Sequence, residues 1–276
     1  MGSVSDVLSL RVCDELVKVH SKDNDARALL LANYDQMQVN LEPGGINYTI
    51  AKDEKSNGLL IATCEGKRLV AKNEGEFLYL FDRELIVQLQ KRRRDLYFVH
   101  GAVLELDGKA CLLVGRSKSG KSTTTLALLH EGFRYSSDEL APVDPKSLYV
   151  HPYPRAIWLR RQSPGCQLSN CKIQTSWMSC IPTKAFPHGV CEKPTPVGAI
   201  CFIRHVPEAS MPALRIVGKA EAAARLLFHA LNPAVHSENG LAPAVEIVKR
   251  TPCFEILTAG LPESCSMIKN ALTGTI

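Results

Sequence analysis

The sequence predicts an α/β protein in which a mixed core follows a smaller domain of strands and turns. Three observations carry that expectation. Strand, glycine loop and helix follow one another across KACLLV, GRSKSGKS and the residues up to His130. Strand-like and helix-like segments alternate again near the C-terminus, and the charge balance changes near Asp95. The 276 residues are 45% apolar and 22% charged, the composition of a chain that buries a core, which excludes disorder, collagen and coiled coil. No uncharged apolar run reaches the roughly 18 residues of a membrane helix. The start MGSVSDVLSLRV lacks the basic and apolar regions of a signal peptide, so a cytoplasmic location is expected. Ten cysteines occur without a C-x-x-C pair and read as reduced thiols, many of them core residues.

The formal charge of +5 is unevenly shared. Residues 1–95 hold 14 Lys+Arg against 15 Asp+Glu, and residues 96–276 hold 19 against 13. The expected division is therefore a near-neutral N-terminal α+β domain over 1–95, of unassigned role, and a basic domain over 96–276. A modest basic excess is compatible with phosphorylated small molecules, nucleic acid or lipid, and selects none of them.

The elements follow in order. NLEPGGINYTIA places a Pro-Gly-Gly turn before an alternating strand, GLLIATCEGKRLVAK reads as a hairpin turning near Glu65-Gly66, and GEFLYLFDRELIVQLQ as a strand passing into a helix. The run Lys91–Arg94 then reads as a solvated helix end favoured by the helix dipole. AVLEL and KACLLV are separated only by Asp107-Gly108, the signature of a two-residue type I′ hairpin. The helix from Ser122 to His130 carries Leu126, Leu128 and Leu129, and Gly132 can end it. APVDPKSLYVHPYPRAIWL predicts strands and turns. VGAICFIRHV predicts a buried strand, AEAAARLLFHAL an amphipathic helix closed by Asn232-Pro233, CFEILTA a strand and ESCSMIKNAL a terminal helix.

Gly115, Gly120, Lys121 and Ser122 satisfy the phosphate-loop pattern G-x-x-x-x-G-K-[ST], which average residue frequencies produce by chance in roughly 1 in 100 chains of this length. The match lies between strand and helix, as the mechanism requires. The glycines let backbone N–H groups of Gly115, Arg116, Ser117, Lys118, Ser119, Gly120, Lys121, Ser122 and Thr123 and the helix N-terminus face a polyphosphate. Lys121 would neutralise phosphate oxygens, and the Ser122 hydroxyl would ligate Mg²⁺. Asp138-Glu139 follows Lys121 by 17 residues. A helix of about 10 residues leaves the loop by about 15 Å and a strand of about 5 residues returns about 16 Å, so the acids can come back beside the phosphates. Spacing alone leaves open whether they hold a metal and accept a proton or are exposed acids at a strand end. His100, by itself, reads as a histidine at a strand start. No LSGGQ-like segment supports a transporter ATPase and no NKxD supports a GTPase; FRYSS before Asp138 is not the usual apolar strand of a metal-binding acid.

The stretch from Val99 to Asp144, with HGAVLELDGKACLLVGRSKSGKSTTTLALLHEGFRYSSDELAPVD, resembles the catalytic core of HPr kinase/phosphorylase and the serine kinases related to it. The likeness is most specific in the ordered set His-Gly, Asp-Gly hairpin, phosphate loop, Gly-aromatic-Arg and acidic pair. It continues more weakly through PYPRAIWL and the two later strand-helix pairs. The resemblance implies a phosphate-loop kinase core of the HPr kinase and phosphoenolpyruvate carboxykinase type, with ATP and Mg²⁺ as cofactors. It implies that His100 lies near the phosphates, that Asp138 is the base toward a serine hydroxyl, and that Glu139 with Ser122 serves the metal. Arg155, in PYPRAIWL, is the residue it suggests for substrate contact.

Two positions depart from the pattern. Lys118 replaces a loop glycine and is strained by about 1 kcal/mol or more if its φ is positive. The acidic pair is Asp-Glu rather than Asp-Asp. A downstream segment like IRGLN is also missing, so HPr itself is not the expected substrate; relatives that phosphorylate lasso-peptide precursors remain. The expected activity is an ATP-dependent kinase acting on a serine hydroxyl in a peptide or small protein. The alternatives are a non-catalytic ATP-binding regulatory or assembly protein and a kinase of a small hydroxyl compound. Expected partners are a nucleotide and a serine-containing peptide, with neither nucleic acid nor membrane. Because HPr kinases are hexameric, the resemblance also implies a homo-oligomer, though no interface is legible. Pro145 to Cys191 contains no acid but carries Lys146, Arg155, Arg160, Arg161, Lys172 and Lys184, a basic stretch suited to an acidic peptide or to solvent. Cys166, Cys171, Cys180 and Cys191, with His188 nearby, are spaced too widely for the C-x₂₋₄-C knuckles of structural zinc.

Overall fold

A computed structural model describes residues 6–53, 56, 58–63, 65–160, 173–174, 178–206 and 208–275. The fold is mixed α/β and divides into two compact units. Among the described residues, the first unit holds 6–92 with 155–160, 173–174 and 178–182; the second holds 93–154 and 183–275.

The first unit begins with β1 (Val7–Val12), β2 (Glu15–Ser21), α1 (Asn24–Asn33), β3 (Ile46–Lys52), β4 (Leu59–Thr63), β5 (Arg68–Ala71) and α2 (Glu74–Arg92). The five strands pair in sequence order, with β2 and β3 parallel and the other neighbours antiparallel. Gly66 has φ 81 at the β4–β5 turn, as the hairpin requires. The expected strand within GEFLYLFDRELIVQLQ is not formed: the whole segment is helix. Phe77, Leu78, Phe81, Leu85 and Leu89 recur at helical spacing and are all buried, so one helical stripe outweighs the local β propensity of the aromatics. Phe81 packs against Tyr34 and Tyr48 at centroid distances of 5.8 and 5.0 Å.

The second unit opens with β6 (Tyr97–Leu106), β7 (Lys109–Val114), α3 (Lys121–His130), β8 (Arg134–Ser137), β9 (Leu140–Val143) and β10 (Tyr149–Val150). Asp107 and Gly108 both have positive φ, 51 and 77, which is the type I′ turn expected between β6 and β7. The chain then contributes β11 (Ile157–Arg160), β12 (Ile173–Gln174) and β13 (Met178–Ile181) to a three-stranded sheet of the first unit. A boundary at Asp95 alone therefore does not describe the fold. Asn33, at the end of α1, supplies one reason: its carbonyl accepts from Ala156 N and its Oδ1 from Trp158 Nε1, each at 2.8 Å.

The second unit closes with β14 (Thr195–His205), β15 (Ala213–Ile216), α4 (Lys219–Phe228), α5 (Leu241–Arg250), β16 (Cys253–Thr258) and α6 (Leu261–Thr273). The sheet runs β10-β9-β6-β7-β14-β16-β15, with β8 also on β6, and β14 lies parallel between β7 and β16. Ala110, Leu112 and Val114 of β7 and Ile200 and Phe202 of β14 form one buried cluster with Ala222 and Leu226 of α4 and Ile247 of α5. On a pleated strand, Cys111 and Leu113 then face the other side, where α3 and α6 pack. Helix α5 has no counterpart in the sequence reading. Its Pro243 disguises it, but a proline in the first turn removes no internal hydrogen bond.

The seven described cysteines are all buried. Cys166, Cys171, Arg161, Lys172 and the side chain of Arg160 lie outside the described residues. Among the described residues no group of three or more His, Cys, Asp and Glu is placed to hold a metal ion, and no helix is long and apolar enough to cross a membrane.

Candidate functional site

Strand β7 is buried along Ala110–Val114 and ends directly in the loop that begins at Gly115. A Cβ at Gly115 would lie 2.6 Å from both the Ile203 carbonyl oxygen of β14 and Ser119 Oγ, so only glycine fits there. Ser119 N–H donates to the Arg116 carbonyl at 3.1 Å, closing a turn whose third residue, Lys118, has φ 68. That is a position where turns of this kind take glycine. Lys118 is exposed and has the left-handed backbone in which a residue with a Cβ is strained. Replacing it by glycine is expected to relieve about 1–2 kcal/mol of strain and to lose about 0.5–1 kcal/mol through unfolded-state freedom. Urea unfolding should show Lys118→Gly more stable by about 0.5–1 kcal/mol.

Gly120, at φ 89, starts α3, and no side chain caps that helix. Its first N–H groups are thus left for an outside acceptor, and no acid stands in the first turn. Lys121 is buried, with Nζ donating to the carbonyls of Gly115 at 2.7 Å and Arg116 at 3.3 Å. Burial lowers its pKa, while the charges of Glu139 and Asp138 act in the opposite sense. Ser119 Oγ is buried and has no hydrogen-bond partner among the described residues. An ammonium group tucked under the loop, uncapped helix N–H groups and an unsatisfied hydroxyl form a donor set suited to a polyphosphate. Arg116 and Ser117 are exposed, while Ser122 and Thr123 are half-buried on the first turn.

The acidic pair does return to the loop. Ser122 Oγ donates to Asp138 Oδ2 at 2.8 Å, and Asp138 is 5% exposed. The side chain of Glu139 is 39% exposed and its Oε1 lies 3.1 Å from His100 Nδ1. Asp138 thus shares the loop hydroxyl, and Glu139 faces the histidine. Backbone bonding reinforces the arrangement, since Gly101 N donates to the Glu139 carbonyl at 3.2 Å. Gly101 also permits close pairing of β6 with β7, because a Cβ there would meet the Leu113 carbonyl oxygen at 2.9 Å. Asp138 with the Ser122 hydroxyl is a hard oxygen pair suited to Mg²⁺, an ion that keeps several waters and needs only one or two carboxylates.

Arg155, the residue suggested for substrate contact, belongs to the first unit, where its Nε lies 3.6 Å from Asp82 Oδ2 and its Nη1 donates to the Ala156 carbonyl at 3.3 Å. The phosphate loop and the acidic pair belong to the second unit.

Sequence reasoning missed the residues on the other side of the loop. A cavity of about 480 Å³ is lined by Gly115, Arg116 and Ser119 and, from α4 and its end, by Phe228 and His229. His100 N donates to the His229 carbonyl at 2.8 Å, which ties this wall to the start of β6. Burial, with the nearby His100, Lys121 and Arg116 charges, pushes the His229 pKa down to about 4. The legible signal was Phe228: it ends an amphipathic helix away from the buried stripe of Ala222, Ala223 and Leu226.

No protein-family model matches the chain, and no curated protein does. Among solved structures the chain is similar to the HPr(Ser) kinase/phosphatase from Coxiella burnetii, with 14% sequence identity and a TM-score of 0.34 over 64% of this chain and 95% of that one. A likeness of this size assigns neither a fold family nor an activity to the chain.

Proposed function

We propose that the protein is an ATP- and Mg²⁺-dependent kinase that phosphorylates a serine hydroxyl in a peptide or small protein. The observation that carries the reading is the 2.8 Å hydrogen bond from Ser122 Oγ to Asp138 Oδ2, which joins the helix start of a strand-loop-helix phosphate site to a buried carboxylate. The sequence resemblance supports the same chemistry. Lys121 would exchange its two loop carbonyls for phosphate oxygens, and the first-turn N–H groups of α3 would supply further donors. Ser122 and Asp138 would hold Mg²⁺, which neutralises the charge that builds on the transferred group.

Proton acceptance falls to Glu139 in this reading. A base must come within about 2.6–3.2 Å of the hydroxyl it deprotonates. Asp138 is buried against Ser122, whereas the Glu139 side chain is 39% exposed and can meet a hydroxyl carried on a peptide. His100, 3.1 Å away, orients the Glu139 carboxylate. The reading is tested by incubating the protein with ATP labelled in its γ-phosphate, Mg²⁺ and a serine peptide library. Label appearing in phosphoserine supports it. ATP binding without transfer to any peptide would instead identify a non-catalytic nucleotide-binding protein, and transfer confined to small hydroxyl compounds a small-molecule kinase.

A further inference from the structure

The cavity beside the phosphate loop contains neither Asp138 nor Glu139, so the transferring end of a nucleotide has no reason to enter it. It nevertheless shares Gly115, Arg116 and Ser119 with the loop, and one of those residues brings the unsatisfied, buried Ser119 Oγ. We propose that this cavity holds the base of the bound nucleotide, with the Phe228 ring as its stacking platform. The proposal rests on the kinase reading for the presence of a nucleotide and adds where its base goes and which side chain receives it.

Phe228 is a large aromatic residue left 67% exposed at the end of α4. Its ring is held edge-on to His229, with centroids 5.2 Å apart and planes at 85°, and the Arg116 guanidinium lies 5.3 Å from its centroid. The guanidinium lies over one face of the ring, so a flat π system can stack on the ring's other face or on the guanidinium itself. The remaining walls are mixed: Val114, Phe202 and Ile203 are apolar, the Arg225 charge is taken by Glu255 at 2.9 Å and Glu221 at 2.6 Å, and Arg204 adds a cation at the rim. His229, neutral at physiological pH, offers one donor and one acceptor nitrogen, the complement of a base edge or a ribose hydroxyl. About 480 Å³ is also in the range that encloses a ligand of this size.

Calorimetric titration with ATP and with inorganic tripolyphosphate, both with Mg²⁺, tests the assignment on the full chain. Phe228→Ala should weaken ATP by about tenfold or more, the usual value of a base-aromatic stack, while leaving tripolyphosphate affinity unchanged. Unchanged tripolyphosphate binding also shows that the variant's loop is folded. Phe228→Trp should keep ATP affinity at or above that of the wild type. Equal loss of both ligands in Phe228→Ala, or loss of neither, overturns the proposal. So does a wild-type protein that binds ATP no more tightly than tripolyphosphate, a result that leaves the phosphate-loop reading intact. A wild-type protein that binds neither ligand overturns both.

Discussion

Glu139→Gln is expected to slow phosphoryl transfer by about 10²–10⁴-fold, the usual worth of a general base, while leaving nucleotide affinity and its dependence on Mg²⁺ unchanged. Gln keeps the length of the side chain and can still meet His100, so what is lost is the capacity to take a proton. Asp138→Asn should behave differently. Its carbonyl can still accept the Ser122 hydroxyl, but the charge that would hold the metal is gone, so Mg²⁺ should no longer strengthen nucleotide binding. The same substitution removes one of the two charges that oppose the lowering of the Lys121 pKa, so binding should weaken further as pH rises. Steady-state transfer, with nucleotide titrations at several Mg²⁺ concentrations, separates the two variants. Full transfer by Glu139→Gln would remove it as the base, and an unchanged Mg²⁺ response in Asp138→Asn would remove that residue as metal ligand.

Gly115→Ala is expected to abolish nucleotide binding and to destabilise the second unit by about 1–3 kcal/mol, the usual cost of overpacking. The added carbon would lie 2.6 Å from the Ile203 carbonyl oxygen, an atom fixed in the strand paired with β7, so relief must come from the loop. Moving the loop displaces the carbonyls of Gly115 and Arg116 that hold Lys121. Gly108→Ala is the control. Gly108 also has a positive φ, 77, but nothing lies within 4 Å of a Cβ there, so the variant should be somewhat less stable and should bind nucleotide normally. Thermal unfolding with and without ATP checks both variants; nucleotide-dependent stabilisation surviving in Gly115→Ala would contradict the account.

Legibility followed the range of the interactions involved. The phosphate loop was readable because Gly115, Gly120, Lys121 and Ser122 act through neighbouring backbone, and the Asp107-Gly108 turn because two adjacent φ angles define it. Helix α2 was misread at its start because its aromatics also suit a strand, and only their burial on one stripe decides between the two. Arg155 is suggested for substrate contact by the resemblance in PYPRAIWL; its ion-pair neighbour Asp82, 73 positions earlier in the chain, was not legible there.

The sequence by itself determined that strand, loop and helix follow in the order a phosphate site needs and that Asp138 and Glu139 are near enough to return to it. Tertiary structure alone decided which acid meets which partner. Asp138 and Glu139 form the bend between β8 and β9, where Asp138 meets the Ser122 hydroxyl and Glu139 stands beside His100. It alone also assembled the cavity of Arg116, Phe228 and His229. Arg116 lies more than a hundred positions before Phe228 and His229, and they are brought together when the parallel pairing of β14 with β7 is covered by α4.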